Sequence, residues 1–179
     1  MSGTATLTAM LEGWYFITVA LLVLSGGSKV RDPEPTRGAL RAARLPSSRG
    51  AVVGLAAGEI TVGAVALAVG TPFAPITVAA FYLGFAGFVS YALLRNLPLQ
   101  SCGCFGKSDT PPGWMHVGIN LSAATVALVV AATGGADLLG ILADQPAAGI
   151  PYVGFVALGA TLVALMLSEL PSILVRRHP

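Results

Sequence analysis

Long apolar stretches separated by short polar segments account for most of the chain. A helix that crosses a hydrocarbon core of about 30 Å needs roughly 20 apolar residues. Stretches of that length run over about residues 11–30, 50–70, 72–94, 114–134 and 149–175. None alternates apolar and polar residues with a period of two, so strands are not expected. The pattern predicts an all-α protein: a polytopic membrane helix bundle that forms a single integral membrane domain over residues 1–179.

The ends of these stretches refine the prediction. Only Gly70, Thr71 and Pro72 separate the second stretch from the third, which predicts a tight helical hairpin. No Lys or Arg precedes the first stretch, so it lacks the positively charged region of a signal peptide. The first stretch is therefore expected to be a retained anchor.

Composition supports a membrane protein and argues against a nucleic-acid-binding protein. Hydrophobic residues make up 55% of the 179 residues and charged residues only 10%, whereas a soluble domain carries about 25% charged residues. The net charge is +2, and no run of Lys and Arg is interleaved with aromatic residues as a nucleic-acid surface requires. The expected partner is the lipid bilayer.

The basic residues predict an orientation. All ten Lys and Arg residues lie in three segments, at 29–49, 95–107 and 176–177. With five spans these segments share one side of the membrane, and basic loops stay on the cytoplasmic side. We therefore expect a multi-pass protein of the bacterial inner (plasma) membrane, with its N-terminus outside and with its C-terminus and the 95–113 segment in the cytoplasm.

The first basic segment has the pattern of a short amphipathic helix. Thr36 follows an Asp-Pro-Glu-Pro breaker and is a candidate N-cap. Basic and apolar positions then recur at helical spacing: Arg37, Arg41 and Arg44, and Ala39, Leu40 and Ala43. This pattern predicts a helix on the inner membrane surface that is attracted by anionic lipid, with an acidic protein partner as the alternative.

Both cysteines of the chain lie in the polar segment between the third and fourth stretches, as Cys102-Gly103-Cys104. A glycine between them lets the backbone fold tightly enough to bring the two sulfurs together. A disulfide that closes so small a ring is strained and easily reduced, which favours thiol–disulfide exchange. The same two thiols are also suited to a soft metal such as Cu, Hg or Zn, with His116 as a further ligand. Thiols that only pack are the third alternative.

Glu59 is the other candidate for chemistry, because it lies near the middle of the second span. An ionised carboxylate there is costly unless it is neutralised or paired. Glu59 is expected to relay protons or to bind a quinone or cation, or else to bond to Asn120, Ser122 or a backbone carbonyl. If its charge is uncompensated, Glu59→Gln should cost little stability. Lys29, at the end of the first span, is expected to extend to the lipid headgroups.

Several of these residues together resemble one family. Cys-Gly-Cys-Phe-Gly at 102–106 is similar to the signature of the MauE-type methylamine-utilisation membrane proteins, which are allied with the DoxX/DoxD-like four-helix membrane proteins. The resemblance extends over about residues 15–130. It includes the Ser-Gly-Gly-Ser-Lys stretch ending at Lys29, the Glu-x-x-x-Gly pattern at Glu59, the basic Arg95 and Asn120. Two departures are Ile119, where the family tends to have Arg, and the added fifth span.

The resemblance implies a four-helix core with an additional fifth transmembrane helix, and roles for Lys29, Arg95 and Asn120. It also implies a redox association, because the family is linked to the maturation of methylamine dehydrogenase. Cytoplasmic thiols are kept reduced, so the predicted orientation favours reduction or electron relay over oxidation.

The sequence therefore predicts an integral membrane thiol–disulfide redox or electron-relay protein in which Cys102, Cys104 and Glu59 are catalytic. It would assist the maturation or reduction of a partner, a thioredoxin-like or other redox protein. Whether the chain is itself a thiol–disulfide or quinone-linked oxidoreductase stays open, and a quinone is the candidate cofactor. The alternatives are a soft-metal binding or transport protein, with Cys102, Cys104 and His116 as ligands, and a non-catalytic scaffold of a membrane redox complex. A homodimer is the candidate assembly.

Overall fold

The computed structural model describes residues 3–99 and 112–175, and the side chains of residues 10–99, 112–145 and 147–166. Within these ranges the chain forms helices and no strand. The helices are α1 (Gly3–Arg31), α2 (Glu34–Ala42), α3 (Arg49–Ala68), α4 (Phe73–Leu94), α5 (Trp114–Ala132), α6 (Leu138–Asp144) and α7 (Pro146–Val175). Five of them, α1, α3, α4, α5 and α7, are long and apolar enough to cross a membrane. The predicted all-α polytopic bundle is confirmed.

The predicted spans agree with these helices to within a few residues, except that α1 begins earlier than expected. The hairpin between the second and third spans is as short as predicted, because α3 ends at Ala68 and α4 begins at Phe73. The pattern missed α6, which has only seven residues. Asp137 caps α6 by accepting a hydrogen bond from the backbone N–H of Gly140.

Helix α1 lies at the centre of the bundle. It packs against α3, α5 and α7, while α4 packs against α5 and α3. Its most buried side chains are Tyr15, Phe16, Val19 and Leu22. They form one core with residues of the neighbouring helices, including Val78, Ala127 and Val130. Helix α7 contacts mainly α1 and is the least buried of the five long helices. A core of α1, α3, α4 and α5 with α7 on its flank fits the expected four-plus-one arrangement.

Two glycines let α1 and α3 approach closely. A Cβ atom on Gly26 of α1 would lie 2.8 Å from the carbonyl oxygen of Ala56. A Cβ atom on Gly63 of α3 would overlap the side chain of Val23. Real Cβ atoms do not come that close to other atoms, so both positions need a residue without one. This close approach brings the C-terminal part of α1 against the middle of α3.

Helix α2 packs onto the end of the bundle where α1 and α4 finish and where α3 and α5 begin. We call this the basic end. The helix starts at Glu34 with Pro33 as its N-cap, so the predicted cap at Thr36 is wrong. Thr36 is instead inside the helix and buried. Arg44 lies beyond the helix with a φ of 57°, so it does not continue the predicted basic stripe.

The apolar face of α2 packs against other parts of the protein. Ala39 is buried in a small cluster with Ala92, near the end of α4, and with Leu99. Arg37 pairs with Glu34 and donates a hydrogen bond of 3.0 Å to the carbonyl oxygen of Ser47. Helix α2 is therefore attached to the bundle and covers part of its basic end.

Candidate functional site

Glu59 lies on α3 and its side chain is completely buried, with 0% exposure. The Nζ atom of Lys29 on α1 lies 2.9 Å from each of its two carboxylate oxygens and donates a hydrogen bond to Oε2. The partners expected from the sequence bond elsewhere. Asn120 donates to the carbonyl oxygen of His116 at 2.8 Å, and Ser122 donates to that of Ile119 at 2.8 Å. The charge on Glu59 is therefore compensated by a buried ion pair between two helices.

Lys29 is also buried, with 3% exposure, so the prediction that it extends to the headgroups is wrong. Side chains on a helix lean toward its N-terminus, and for Lys29 that direction leads back into the bundle. Its Nζ atom donates a hydrogen bond of 2.5 Å to Ser25 Oγ, one turn earlier on α1. The same nitrogen lies 5.4 Å from the centre of the Phe85 ring on α4. Three helices thus surround one ammonium group.

The pair is not fully satisfied by hydrogen bonds. An ammonium has three N–H donors, and Lys29 directs two of them to Ser25 and Glu59. Glu59 Oε1 is close enough to Lys29 for charge attraction but has no hydrogen-bond partner among the described residues. Buried polar atoms are normally bonded. The ammonium of Lys29 therefore has one N–H beyond these two hydrogen bonds.

A cavity of about 400 Å³ lies beside Lys29, between α3 and α4 and next to α2. Its wall is apolar and includes Leu55 of α3 and three aromatic rings of α4, those of Phe81, Phe85 and Phe88. Among the described residues that line it, Lys29 alone carries a charge. The cavity therefore combines an apolar wall with one buried cationic group.

The two cysteines lie outside the described residues, so their geometry is not part of this site. The residues just before them are described. Leu99, three positions before Cys102, is buried against Ala39 and Ala92, and Leu97 packs against the same cluster. The described part of the chain before the cysteines therefore ends at the basic end of the bundle, beside α2.

The other candidate residues lie apart from the ion pair. Arg95 is exposed just after α4, with its guanidinium carbon 5.9 Å from the centre of the Tyr91 ring. His116, in the first turn of α5, is buried with 4% exposure. Its Nδ1 accepts a hydrogen bond of 3.2 Å from the backbone N–H of Gly113, and its Nε2 has no partner among the described residues. Asn120 contacts the same turn of α5, because its side chain donates a hydrogen bond to the carbonyl oxygen of His116.

No three His, Cys, Asp or Glu side chains come together as a potential metal site in the part of the chain that the structure describes. A metal site made of Cys102, Cys104 and His116 includes residues outside that part.

Sequence reasoning missed Ser25 and Phe85 as parts of the site. A signal for Ser25 is present, because it lies four residues before Lys29 and so on the same face of α1. Phe85 has no such signal, since any aromatic residue on α4 has the same local pattern. The positions of the charged residues could also have indicated the Lys29–Glu59 pair. A buried carboxylate needs a cation, and the sequence has few Lys or Arg residues within or at the ends of the predicted spans.

Comparison with known proteins identifies the family. The model of the family described as methylamine utilisation protein MauE matches residues 7–137 of the 179. The match includes α1 from residue 7 onward, α2–α5, both residues of the ion pair and the cysteine segment, and it ends before α6. No curated protein and no solved structure matches the chain significantly. Since the family model matches well over half of the chain, and the helices it covers are those of the four-helix core, the chain belongs to the MauE family of methylamine utilisation proteins.

Proposed function

We propose that this chain is a membrane-bound accessory protein that exchanges thiols and disulfides with a partner protein through Cys102 and Cys104. The family description supports a role in methylamine utilisation, and maturation or reduction of a partner protein fits an accessory role there. The observation that carries the proposal is the packing of Leu99, three residues before Cys102, on the basic end of the bundle.

The reaction balances with thiols alone. A thiolate of Cys102 or Cys104 attacks a disulfide of the partner, forming a mixed disulfide and releasing one partner thiol. The second cysteine then attacks the mixed disulfide, releasing the second partner thiol and leaving the Cys102–Cys104 disulfide. The partner gains two electrons and two protons, and the chain loses them. A reductant must then return the Cys102–Cys104 disulfide to two thiols. Thiol–disulfide exchange is reversible, and when partner thiols instead reduce the Cys102–Cys104 disulfide, an oxidant must restore that disulfide.

Glu59 and Lys29 have a supporting role in this proposal. They form a buried pair of opposite charges between α1 and α3. Such a pair can hold a proton near the membrane interior while thiols or an acceptor change their protonation. Glu59 is therefore retained as a candidate for proton transfer, with Lys29 as the group that holds its charge.

A soft-metal function is less well supported. His116 would bind a metal through a nitrogen without a proton, and its Nδ1 already accepts a hydrogen bond from Gly113. The ring proton is then on Nε2. Metal binding by Nε2 would require the proton to move to Nδ1 and the bond to Gly113 to break.

Titration of the thiols tests the proposal. Membranes are poised between about −300 and −120 mV with glutathione or dithiothreitol, and free thiols are tagged with a maleimide of high mass. The wild type should carry two tags at reducing potentials and none at oxidising potentials, and the change should be reversible. Ser101→Ala should behave identically. In purified protein, without partner proteins and poised with dithiothreitol, Cys102→Ser and Cys104→Ser should each keep one tag at every potential.

Two further measurements separate the alternatives. One of the single cysteine variants should accumulate a mixed disulfide with a partner protein, because the resolving thiol is missing. Purified wild type should carry less than one equivalent of Cu, Hg or Zn. Two tags at every potential, together with bound metal, would replace the redox proposal with metal binding. Two tags at every potential without metal, and normal complex assembly in the double cysteine variant, would favour a scaffold.

A further inference from the structure

The geometry points to the cavity beside Lys29 as a binding site for the ring of an isoprenoid quinone, the electron acceptor for the two cysteines. The redox role of this site rests on the proposed function, whereas binding of the quinone can be tested without it. The occupant is a quinone ring with the first part of its isoprenoid chain.

The walls of the cavity fit such a ligand. Ligand pockets commonly measure about 300–1,000 Å³ and are mostly apolar, and this one measures about 400 Å³. The rings of Phe81, Phe85 and Phe88 offer aromatic surface for a flat ring. Ala80 and Gly84, which also line the cavity, are exposed on the outer surface of a membrane-spanning helix. A hydrophobic ligand can therefore enter from the hydrocarbon of the bilayer without crossing water.

The polar groups favour a quinone over an acyl chain. Lys29 lines the cavity and has a third N–H beyond the two it directs to Ser25 and Glu59. A quinone carbonyl oxygen would accept a hydrogen bond from it. The ammonium would also stabilise the negative charge that develops on that oxygen during reduction. An acyl chain has no hydrogen-bond acceptor, so it would leave this N–H buried without a partner.

The cavity is next to the segment that carries the thiols. Ala39 and Phe88 belong both to the cavity wall and to the cluster around Leu99. Cys102 follows Leu99 by three residues, so chain length alone keeps their Cα atoms within about 11 Å. The segment that carries the thiols therefore follows a residue packed beside the wall of the cavity.

The electron transfer balances without another reactant. Two S–H bonds of the cysteines break and one S–S bond forms. The two electrons and two protons that are released convert the two carbonyl groups of the quinone into two hydroxyl groups. The quinol then leaves into the bilayer, and two thiols of a partner reduce the Cys102–Cys104 disulfide again, which is the thiol–disulfide exchange of the proposed function in its reverse direction.

The test uses decylubiquinone as the probe, with the full chain in lipid nanodiscs and binding measured by equilibrium dialysis. Gly84→Leu is the blocking variant, because a Cβ atom at Gly84 meets no protein atom within 4 Å and the larger side chain can extend into the cavity. Gly118→Leu on α5 is the matched control, since its Cβ atom also meets nothing within 4 Å and Gly118 does not line the cavity. We expect Gly84→Leu to weaken binding at least tenfold and Gly118→Leu to change it less than twofold.

The cysteine variants separate this inference from the proposed function. The double variant Cys102→Ser/Cys104→Ser should bind decylubiquinone like the wild type but should not exchange electrons with it. Binding without any redox change of the thiols would support the site and overturn the thiol function. A redox-active cysteine pair in a chain that does not bind decylubiquinone would overturn the site and leave the thiol function intact. Equal displacement of decylubiquinone by a short-chain phosphatidylcholine would make the cavity a lipid site and overturn the inference.

Discussion

Replacing Glu59 by Gln should destabilise the bundle, although the sequence led us to expect little effect. The sequence-based expectation assumed an uncompensated charge, whereas Glu59 is paired with Lys29. At 2.9 Å and an effective dielectric constant of about 20, two unit charges attract each other by about 6 kcal/mol. Glu59→Gln keeps the shape of the side chain and removes this attraction, leaving the ammonium of Lys29 buried without a counter-charge.

The expected loss is about 3–5 kcal/mol in the free energy of unfolding, the range for removing one partner of a buried ion pair. Lys29→Met should cost about as much, since it leaves a buried carboxylate. The double variant Lys29→Met/Glu59→Gln should be within about 1–2 kcal/mol of the wild type, because it leaves no buried charge.

Reversible unfolding by steric trapping in bicelles measures these free energies, and thermal unfolding in detergent provides a second ranking. Glu34→Gln is the control, because its partner Arg37 is on the surface of α2 and Glu34 is exposed. Exposed pairs contribute about 0–1 kcal/mol. The reasoning is refuted if Glu59→Gln costs no more than Glu34→Gln. It is equally refuted if the losses in the two single variants add up in the double variant to within about 0.5 kcal/mol.

Two further predictions concern helix packing and orientation. Gly26→Ala should lower stability by about 1–3 kcal/mol, because the new Cβ atom would lie 2.8 Å from the Ala56 carbonyl oxygen. Gly27→Ala, where a Cβ atom meets nothing within 4 Å, should be neutral or stabilising, and equal losses in the two variants would contradict the packing of α1 on α3. A reporter fused after Pro179 should be active in the cytoplasm, and an impermeant maleimide should not label Cys102 in intact cells. Labelling of Cys102 from outside would reverse the orientation and remove the preference for reduction on the cytoplasmic side.

The sequence by itself determined the class of the protein and most of its helices. Helix length and hydropathy are properties of local stretches, so the five spans could be predicted to within a few residues, apart from the start of α1. The seven residues of α6 were too few to give a periodic signal. The motifs around Glu59 and Cys102 were also local, and they pointed to the MauE family that the family model confirms.

Only the tertiary structure decided which of the polar residues meet. Lys29 and Glu59 are 30 positions apart, and they pair because Gly26 and Gly63 allow α1 and α3 to approach closely. The direction of the Lys29 side chain, toward the start of its own helix, brings the ammonium into the bundle instead of out to the headgroups. The cavity depends on the same non-local packing, since its wall is assembled from four helices. Contacts of this kind depend on the distances between helices, which no local pattern of residues specifies.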